Sequence, residues 1–388
     1  MPTITTIDDL KRLAERRVPR MFYDYADSGS YTESTYRDNE AAFGRIKLRQ
    51  RVARNIENRS LATTMVGEKV AMPVALSPVG ITGMQHADGE ILACRAAHRA
   101  GLQFCLSTMS VCSIEDVAKA VDRPFWFQLY MMRDREFIRR LIGRAKAVGC
   151  SALVLTLDLQ ILGQRHKDVK NGLTTPPKPT LRNIANLATK PRWVMGMLGT
   201  RNRSFGNIVG HVDSSSDMTS LSKWTHDQFD PSLDWDSIDW IKEQWDGPLI
   251  LKGINDVEDA RIAVGKGADA LIVSNHGGRQ LDGAAASADM LADIVDAVGD
   301  QIEVHVDGGI RSGQDVFKAI ALGAHATWIG RPFIYGLGAL GEQGVEMAVA
   351  IIRKELDITM ALCGETDITK VGRHNLLGEP PRLAAMNG

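Results

Sequence analysis

The 388-residue chain is 44% hydrophobic and 24% charged with a formal net charge of −1, the composition of an ordinary globular protein. That near-neutral balance gives no reason to expect nucleic acid, with one local exception in the basic stretch described below, and no apolar stretch approaches the length needed to span a bilayer. Five cysteines, Cys94, Cys105, Cys112, Cys150 and Cys363, form no CxxC pair, which fits buried free thiols in a reducing cytosol rather than a disulfide framework.

The N-terminus carries Asp8, Asp9, Lys11, Arg12, Glu15, Arg16 and Arg17 with no apolar core, so no signal peptide is expected. Thr6 is placed to cap a helix running to about Arg17, and residues 1–70 are expected to cover the bottom or rim of the fold that follows. Eight short β-branched or apolar runs come next: Val74 to Gly80, Leu102 to Ser107, Phe125 to Tyr130, Ala152 to Asp158, Leu249 to Gly253, Ala270 to Asn275, Glu303 to Gly309 and Ala326 to Arg331. Most successive starts lie about 20 to 35 residues apart, the span of a strand, a crossover helix and two short loops. The intervening helices announce themselves with the capping box Ser113-Ile114-Glu115-Asp116 and with Asp256 ahead of the stripe Val257, Ala260 and Ala263. Eight such units predict an α/β fold, a (β/α)8 TIM barrel, as one domain: an N-terminal helical extension over 1–70, the barrel over 71–340, and C-terminal helices and tail over 341–388. The fourth and fifth strands are about 90 residues apart, so an insertion at about 169–235 is expected there.

Barrel active sites form at the C-terminal strand ends. Here those ends carry Pro78-Val79-Gly80, Ser107, Gln128 and Tyr130, Thr156 and Asp158, Lys252, His276 with Arg279, Asp307-Gly308-Gly309 with Arg311, and Gly330-Arg331. Each alone has an ordinary reading as a turn glycine or capping aspartate; jointly they form a site. His276 follows the buried strand Ala270-Leu271-Ile272-Val273. A histidine of ordinary pKa about 6.5 can act as base near neutral pH, and an arginine can grip a carboxylate through two parallel hydrogen bonds. Taken alone the segment reads equally as a strand-end turn with a surface His and Arg.

Asp307, Gly308, Gly309, Arg311, Gly330 and Arg331 end the last two strands, where barrels bind phosphate through backbone N–H groups and a helix N-terminus. No Gly-x-Gly-x-x-Gly follows the first strand and no Walker lysine motif is present, which disfavours a nicotinamide Rossmann site and a P-loop. Flavin mononucleotide, FMN, is the natural remaining candidate. Lys252, at the end of Leu249-Ile250-Leu251, could stabilise the charge of a reduced flavin; a Schiff-base lysine or a rim salt bridge is the alternative. Ser107, Gln128, Thr156 and Ser274 are candidates for the cofactor's polar edge. Asp158 could hold His276 in one tautomer, while Tyr130, Tyr25 and Arg165 are candidate substrate donors.

The segment Ser274-Asn275-His276-Gly277-Gly278-Arg279-Gln280-Leu281-Asp282 resembles the active-site signature of the FMN-dependent L-2-hydroxy acid oxidases and dehydrogenases, and the resemblance runs from about Ile7 to Leu377. Pro19-Arg20-Met21-Phe22-Tyr23-Asp24-Tyr25, Phe127-Gln128-Leu129-Tyr130 and Thr156-Leu157-Asp158 with Gly163-Gln164-Arg165 are similar to further family segments. A proline common after that aspartate is replaced here around Leu159-Gln160. The resemblance implies that Tyr25, Arg165 and Arg279 bind the substrate carboxylate, that His276 is the base partnered by Asp158, and that Tyr130 faces the substrate. It further implies that Lys252 and Gln128 contact the flavin and that Asp307, Gly309, Arg311, Gly330 and Arg331 form the ribityl and phosphate site. Oxidation of an L-2-hydroxy acid to a 2-oxo acid follows, with lactate the first choice and mandelate the second, in a homotetramer.

The electron acceptor is read from the insertion. Residues 169–212 hold no Asp or Glu, against about five for an average stretch, but do hold Lys170, Lys178, Arg182, Lys190, Arg192, Arg201 and Arg203. They flank Trp193-Val194-Met195-Gly196-Met197-Leu198, a pattern that suits a monotopic anchor on an anionic membrane; an ordered active-site lid with a packed Trp is the alternative. The family's membrane-bound dehydrogenases carry an insertion here, which implies a peripheral protein on the cytoplasmic side of the inner membrane, passing electrons to a quinone or cytochrome. Gly80 resembles the dehydrogenase side of the family, where oxidases more often carry alanine, although monooxygenase members share the glycine; an oxygen-using hydroxy acid oxidase or monooxygenase is the alternative. An FMN-dependent isopentenyl diphosphate isomerase would require an acidic metal cluster that is not seen near His276, and a binding module built on a degenerate barrel is the third class.

Overall fold

The computed structural model describes residues 3–173, 180–209 and 227–381. Eight parallel strands close a barrel: β1 Val74–Leu76, β2 Gln103–Ser107, β3 Trp126–Tyr130, β4 Leu153–Thr156, β5 Leu249–Ile254, β6 Ala270–Val273, β7 Glu303–Val306 and β8 Ala326–Ile329. Every strand falls within or beside its expected run. Several end earlier than the apolar pattern, because residues such as Ser77, Asp158 and Asp307 leave the ladder to form the mouth. The expected caps form: Thr6 and Asp9 make a capping box on Ile7–Arg17, Ser113 and Asp116 another on Ile114–Ala118, and Asp256 accepts from Glu258 N–H.

Parallel strands covered on both faces are buried throughout, and β4 and β6 show this along their whole length. Side chains alternate between the barrel interior and the helical shell. Ala75, Cys105, Trp126, Val154, Ile250, Ile272 and Trp328 fill the interior.

The N-terminal extension covers both ends of the barrel. A hairpin, Thr63–Met65 with Glu68–Val70, closes the bottom. Glu68 accepts from the Trp126 indole (2.8 Å) and the Gln103 amide (2.7 Å), while Val66 N–H donates to Glu303 at 2.9 Å. At the other end, helices Arg20–Ala26 and Ser34–Arg45 line the rim. Asp282, the last residue of the signature segment, accepts from Thr32, Ser34 and Thr35 and so ties this rim to the loop after β6.

The β4–β5 crossover contains helices His166–Lys170, Leu181–Ala188, Pro191–Gly199 and Asp236–Gln244. All five cysteines are free and buried. Among the described residues, no helix is long and apolar enough to cross a membrane.

Candidate active site

His276 sits just past β6 with φ of 59°, a left-handed conformation rare for a residue with a Cβ. Such strain costs about 1–3 kcal/mol, comparable to one hydrogen bond to a charged group. Two bonds oppose it: His276 N–H donates to Ser274 Oγ at 3.1 Å, and its Nδ1 lies 2.9 Å from Asp158 Oδ1. Gly253, at φ of 103°, lets Asp158 approach, since a Cβ there would lie 2.6 Å from the carboxylate carbon. Burial alone would raise the Asp158 pKa, but His276 and then Lys252 hold it below the ordinary carboxylate value. His276 Nδ1 faces a carboxylate, leaving Nε2 as the ring atom available to a substrate.

Arg279 and Arg165 gather around Tyr25, their guanidinium carbons 4.8 Å and 5.6 Å from its ring centroid. Arg279 Nη1 donates to the Tyr25 and Ser28 carbonyls, whereas Arg165 pairs with Asp168 at 2.6 Å. Burial first, then repulsion from Arg165, lowers the Arg279 pKa, but it stays protonated at any physiological pH. Two buried cations beside one carboxylate leave a local excess of positive charge that an anion would relieve. Tyr130 faces the same cavity, and burial, then Tyr25 and Asp158, raise its pKa, so it is a phenol donor at neutral pH.

These groups open onto one cavity of about 160 Å³ with two chemically distinct walls. Tyr25, Tyr130, Arg165, His276 and Arg279 line one; Pro78, Val79, Gly80, Lys252, Asp307 to Arg311, Gly330 and Arg331 line the other. Lys252 Nζ lies 2.7 Å from Asp307 Oδ2 and 2.8 Å from Ser274 Oγ. Burial would lower its pKa, yet Asp307 and Asp158 raise it, so the ammonium persists.

The second wall fits FMN. The Ser77 hydroxyl and Asp307 Oδ1 are buried on it without partners, as groups awaiting a polyhydroxylated chain would be. Helix Arg331–Leu340 begins there with no side-chain cap. Arg331 adds positive charge, although it also ties down the carbonyls of Ala26, Gly277 and Ser28 at 2.9–3.0 Å, while Arg311 is paired with Glu40 at 2.7 Å.

Ser107, Gln128, Thr156 and Ser274, expected at the cofactor's edge, are buried at the strand ends and are not among the residues that line the cavity. Ser107 Oγ donates to Gln128 Oε1 at 3.1 Å and Gln128 Nε2 to Thr156 Oγ1 at 3.0 Å, so these buried polar groups satisfy one another.

Sequence reasoning missed Phe229, Leu162, Leu159 and Trp328 as cavity residues. Phe229 arrives from the far end of the insertion, bridged to Met132, and meets Tyr130 edge-on at 5.6 Å. Nothing local marks it. Trp328 was legible, because it shares the inward parity of Gly330 on the same strand.

Within the insertion, Trp193 is half-buried rather than presented outward. It stacks on Phe22 at 5.4 Å and donates to the Met84 carbonyl at 2.8 Å. Among the described residues its exposed apolar side chains are Val169, Leu181, Ile184, Met195, Leu198 and Val209; Leu181, Ile184, Met195 and Leu198 lie beside exposed Arg182, Arg192, Arg201 and Arg203. Lys178 and residues 210–212 of the acid-free stretch lie outside the described residues.

The family model of FMN-dependent dehydrogenases matches residues 14–377. An L-lactate dehydrogenase of Pseudomonas entomophila (strain L48) is 45% identical over 378 residues, covering 97% of this chain and 99% of the relative. One of Xanthomonas campestris pv. campestris (strain B100) is 46% identical over 370 residues, 95% of each chain. Among solved structures, the monotopic membrane protein (S)-mandelate dehydrogenase superposes with a TM-score of 0.92 at 34% identity, covering 97% of this chain and 100% of its own. A mandelate oxidase superposes at 0.82 and 34% identity, covering 98% and 100%. With a matching family model over nearly its whole length and relatives this similar, the chain belongs to the FMN-dependent dehydrogenases.

Proposed function

We propose that this enzyme oxidises L-lactate to pyruvate and passes the electrons to a quinone or cytochrome at a membrane. The observation that carries the reading is the His276–Asp158 pair opening onto the same cavity as the Arg279 guanidinium and the cofactor wall. It pairs a base with a carboxylate grip at one site. The relatives named L-lactate dehydrogenase support the substrate.

Arg279 and Arg165 take the substrate carboxylate, with the Tyr25 hydroxyl beside them, and Tyr130 donates to the substrate oxygen. Oxidation removes two protons and two electrons from the carbinol; His276 Nε2 accepts one of the protons, and Asp158 stabilises the resulting imidazolium. When bound, FMN supplies the two-electron acceptor. Lys252 holds a positive charge on the cofactor wall, and Asp307, the glycines after it and the start of helix Arg331–Leu340 would hold the cofactor's hydroxyls and phosphate.

The exposed apolar residues of the insertion, with cations around them and the monotopic structural neighbour, support peripheral membrane contact. Anaerobic flavin reduction across a panel of L-2-hydroxy acids, followed by reoxidation with oxygen against a quinone, tests the whole reading. Fastest reduction by lactate and preferential reoxidation by quinone are expected. Faster reduction by mandelate would assign the apolar wall of Phe229, Leu159 and Leu162 to an aromatic substrate instead; fast reoxidation by oxygen would make the enzyme an oxidase.

A further inference from the structure

Barrel interiors are ordinarily filled by branched aliphatic side chains. Here the interior holds two indoles, Trp126 and Trp328, with centroids 5.3 Å apart, and a fully buried histidine, His305. Trp328 Nε1 donates to His305 Nδ1 at 3.1 Å, and His305 Nε2 lies 3.0 Å from Glu303 Oε2. Glu303 Oε2 also accepts from Val66 N–H in the hairpin that closes the barrel bottom.

The chemistry of the donors fixes the protons. An indole N–H only donates, so His305 Nδ1 must carry a lone pair; the ring is neutral, with its hydrogen on Nε2 pointing at Glu303. The series therefore runs in one direction, Trp328 to His305 to Glu303, with no unpaired ring atom. At its upper end Trp328 is one of the residues lining the active-site cavity, as are Lys252 and Asp307. Aliphatic packing would satisfy the core without burying three ring nitrogens. What the series adds is a fixed ring plane at the cavity wall, since the indole hydrogen bond removes the freedom of the side chain's second torsion.

We propose that Trp328 is a cofactor-positioning residue, held at the flavin wall by His305 and Glu303 and anchored through them to the hairpin. The inference rests on FMN occupying that wall. Apoprotein is titrated with FMN for the native chain and for Trp328→Phe, His305→Leu and His305→Gln, following flavin absorption and tryptophan emission. Trp328→Phe and His305→Leu are expected to weaken FMN binding about threefold to tenfold and shift the flavin bands, the effect of losing one ordered contact. His305→Gln keeps an acceptor for the indole and a donor for Glu303, and is expected to stay within about twofold of the native affinity. FMN should quench less tryptophan emission in Trp328→Phe than in the native chain. Native affinity, unshifted bands and native quenching in Trp328→Phe overturn the proposal, and that variant decides alone if His305→Leu does not fold. Failure of the native chain to bind FMN would instead refute the site itself.

Discussion

Asp158 Oδ1 lies 2.9 Å from His276 Nδ1, joining residues from the ends of β4 and β6 across the barrel mouth. Removing the carboxylate's charge while keeping its shape separates orientation from electrostatics. Asp158→Asn is expected to lower kcat about a thousandfold or more with little change in KM, since the imidazolium loses its counter-charge in the transition state. His276→Ala is expected to abolish flavin reduction by lactate while leaving the bound FMN spectrum intact. Stopped-flow reduction measures both, and near-native reduction in His276→Ala would remove it from the role of base.

The pair of arginines against Tyr25 predicts a different kinetic signature. Arg279→Lys preserves the charge but loses the planar fork and the contacts to the Tyr25 and Ser28 carbonyls. KM for the hydroxy acid is expected to rise roughly tenfold to a hundredfold, the value of a charge-assisted bidentate contact. An unchanged KM in steady-state assays would assign the carboxylate to Arg165 instead.

The contrast between these two groups shows what a sequence can carry. The strands were legible because parallel strands buried on both faces read as unbroken apolar runs, and the motifs at their ends mark the mouth. The His276–Asp158 pairing could be inferred only by assuming barrel order. Tyr25 was weaker still, since its helix reaches the mouth through Arg279 and Arg331, whose contacts to backbone carbonyls leave no side-chain pattern. The positive φ at His276, the arrival of Phe229 from the insertion and the Trp328–His305 bond are tertiary facts with no local periodicity.

Asp27 gives a stability test of the same N-terminal element. Its carboxylate accepts from the Tyr335 hydroxyl at 2.6 Å and the Tyr36 hydroxyl at 2.7 Å, and Lys11 Nζ lies 3.2 Å away. Burial would raise its pKa, but the Tyr335 bond, Lys11 and Tyr36 bring it down to about 2. A depressed folded pKa contributes stability that is complete above the unfolded value of about 3.9 and is lost as pH falls through the folded value. With its side chain 12% exposed, Asp27 is worth about 2 kcal/mol by this linkage. Asp27→Asn should cost that amount at pH 7 in denaturant unfolding, and the gap between the two proteins should close as pH falls from about 4 toward 2. A gap independent of pH would mean that packing, not charge, holds the element.

The insertion poses the sharpest design question, because one of its faces packs on the protein and the other is exposed. Trp193 stacks on Phe22, Met197 packs with Met84 and Val111, and Thr200 and Asn202 bond to Asp88 at 2.6 Å and 2.7 Å. Excising residues 183–202 would therefore strip cover from the helix that carries Tyr25 and disturb the active site. Leu181, Ile184, Met195 and Leu198, which are 85%, 58%, 64% and 68% exposed, make no such contribution. Replacing these four with serine removes about 1.5–3 kcal/mol of transferable apolar surface per side chain from any membrane contact without touching the packed face. The variant is expected to leave the membrane fraction for the soluble one while retaining native turnover with a soluble dye acceptor. Unchanged partitioning on vesicles containing anionic lipid would discard the membrane contact and leave the insertion as a lid, whereas release accompanied by loss of dye turnover would show that the exposed face also supports the site.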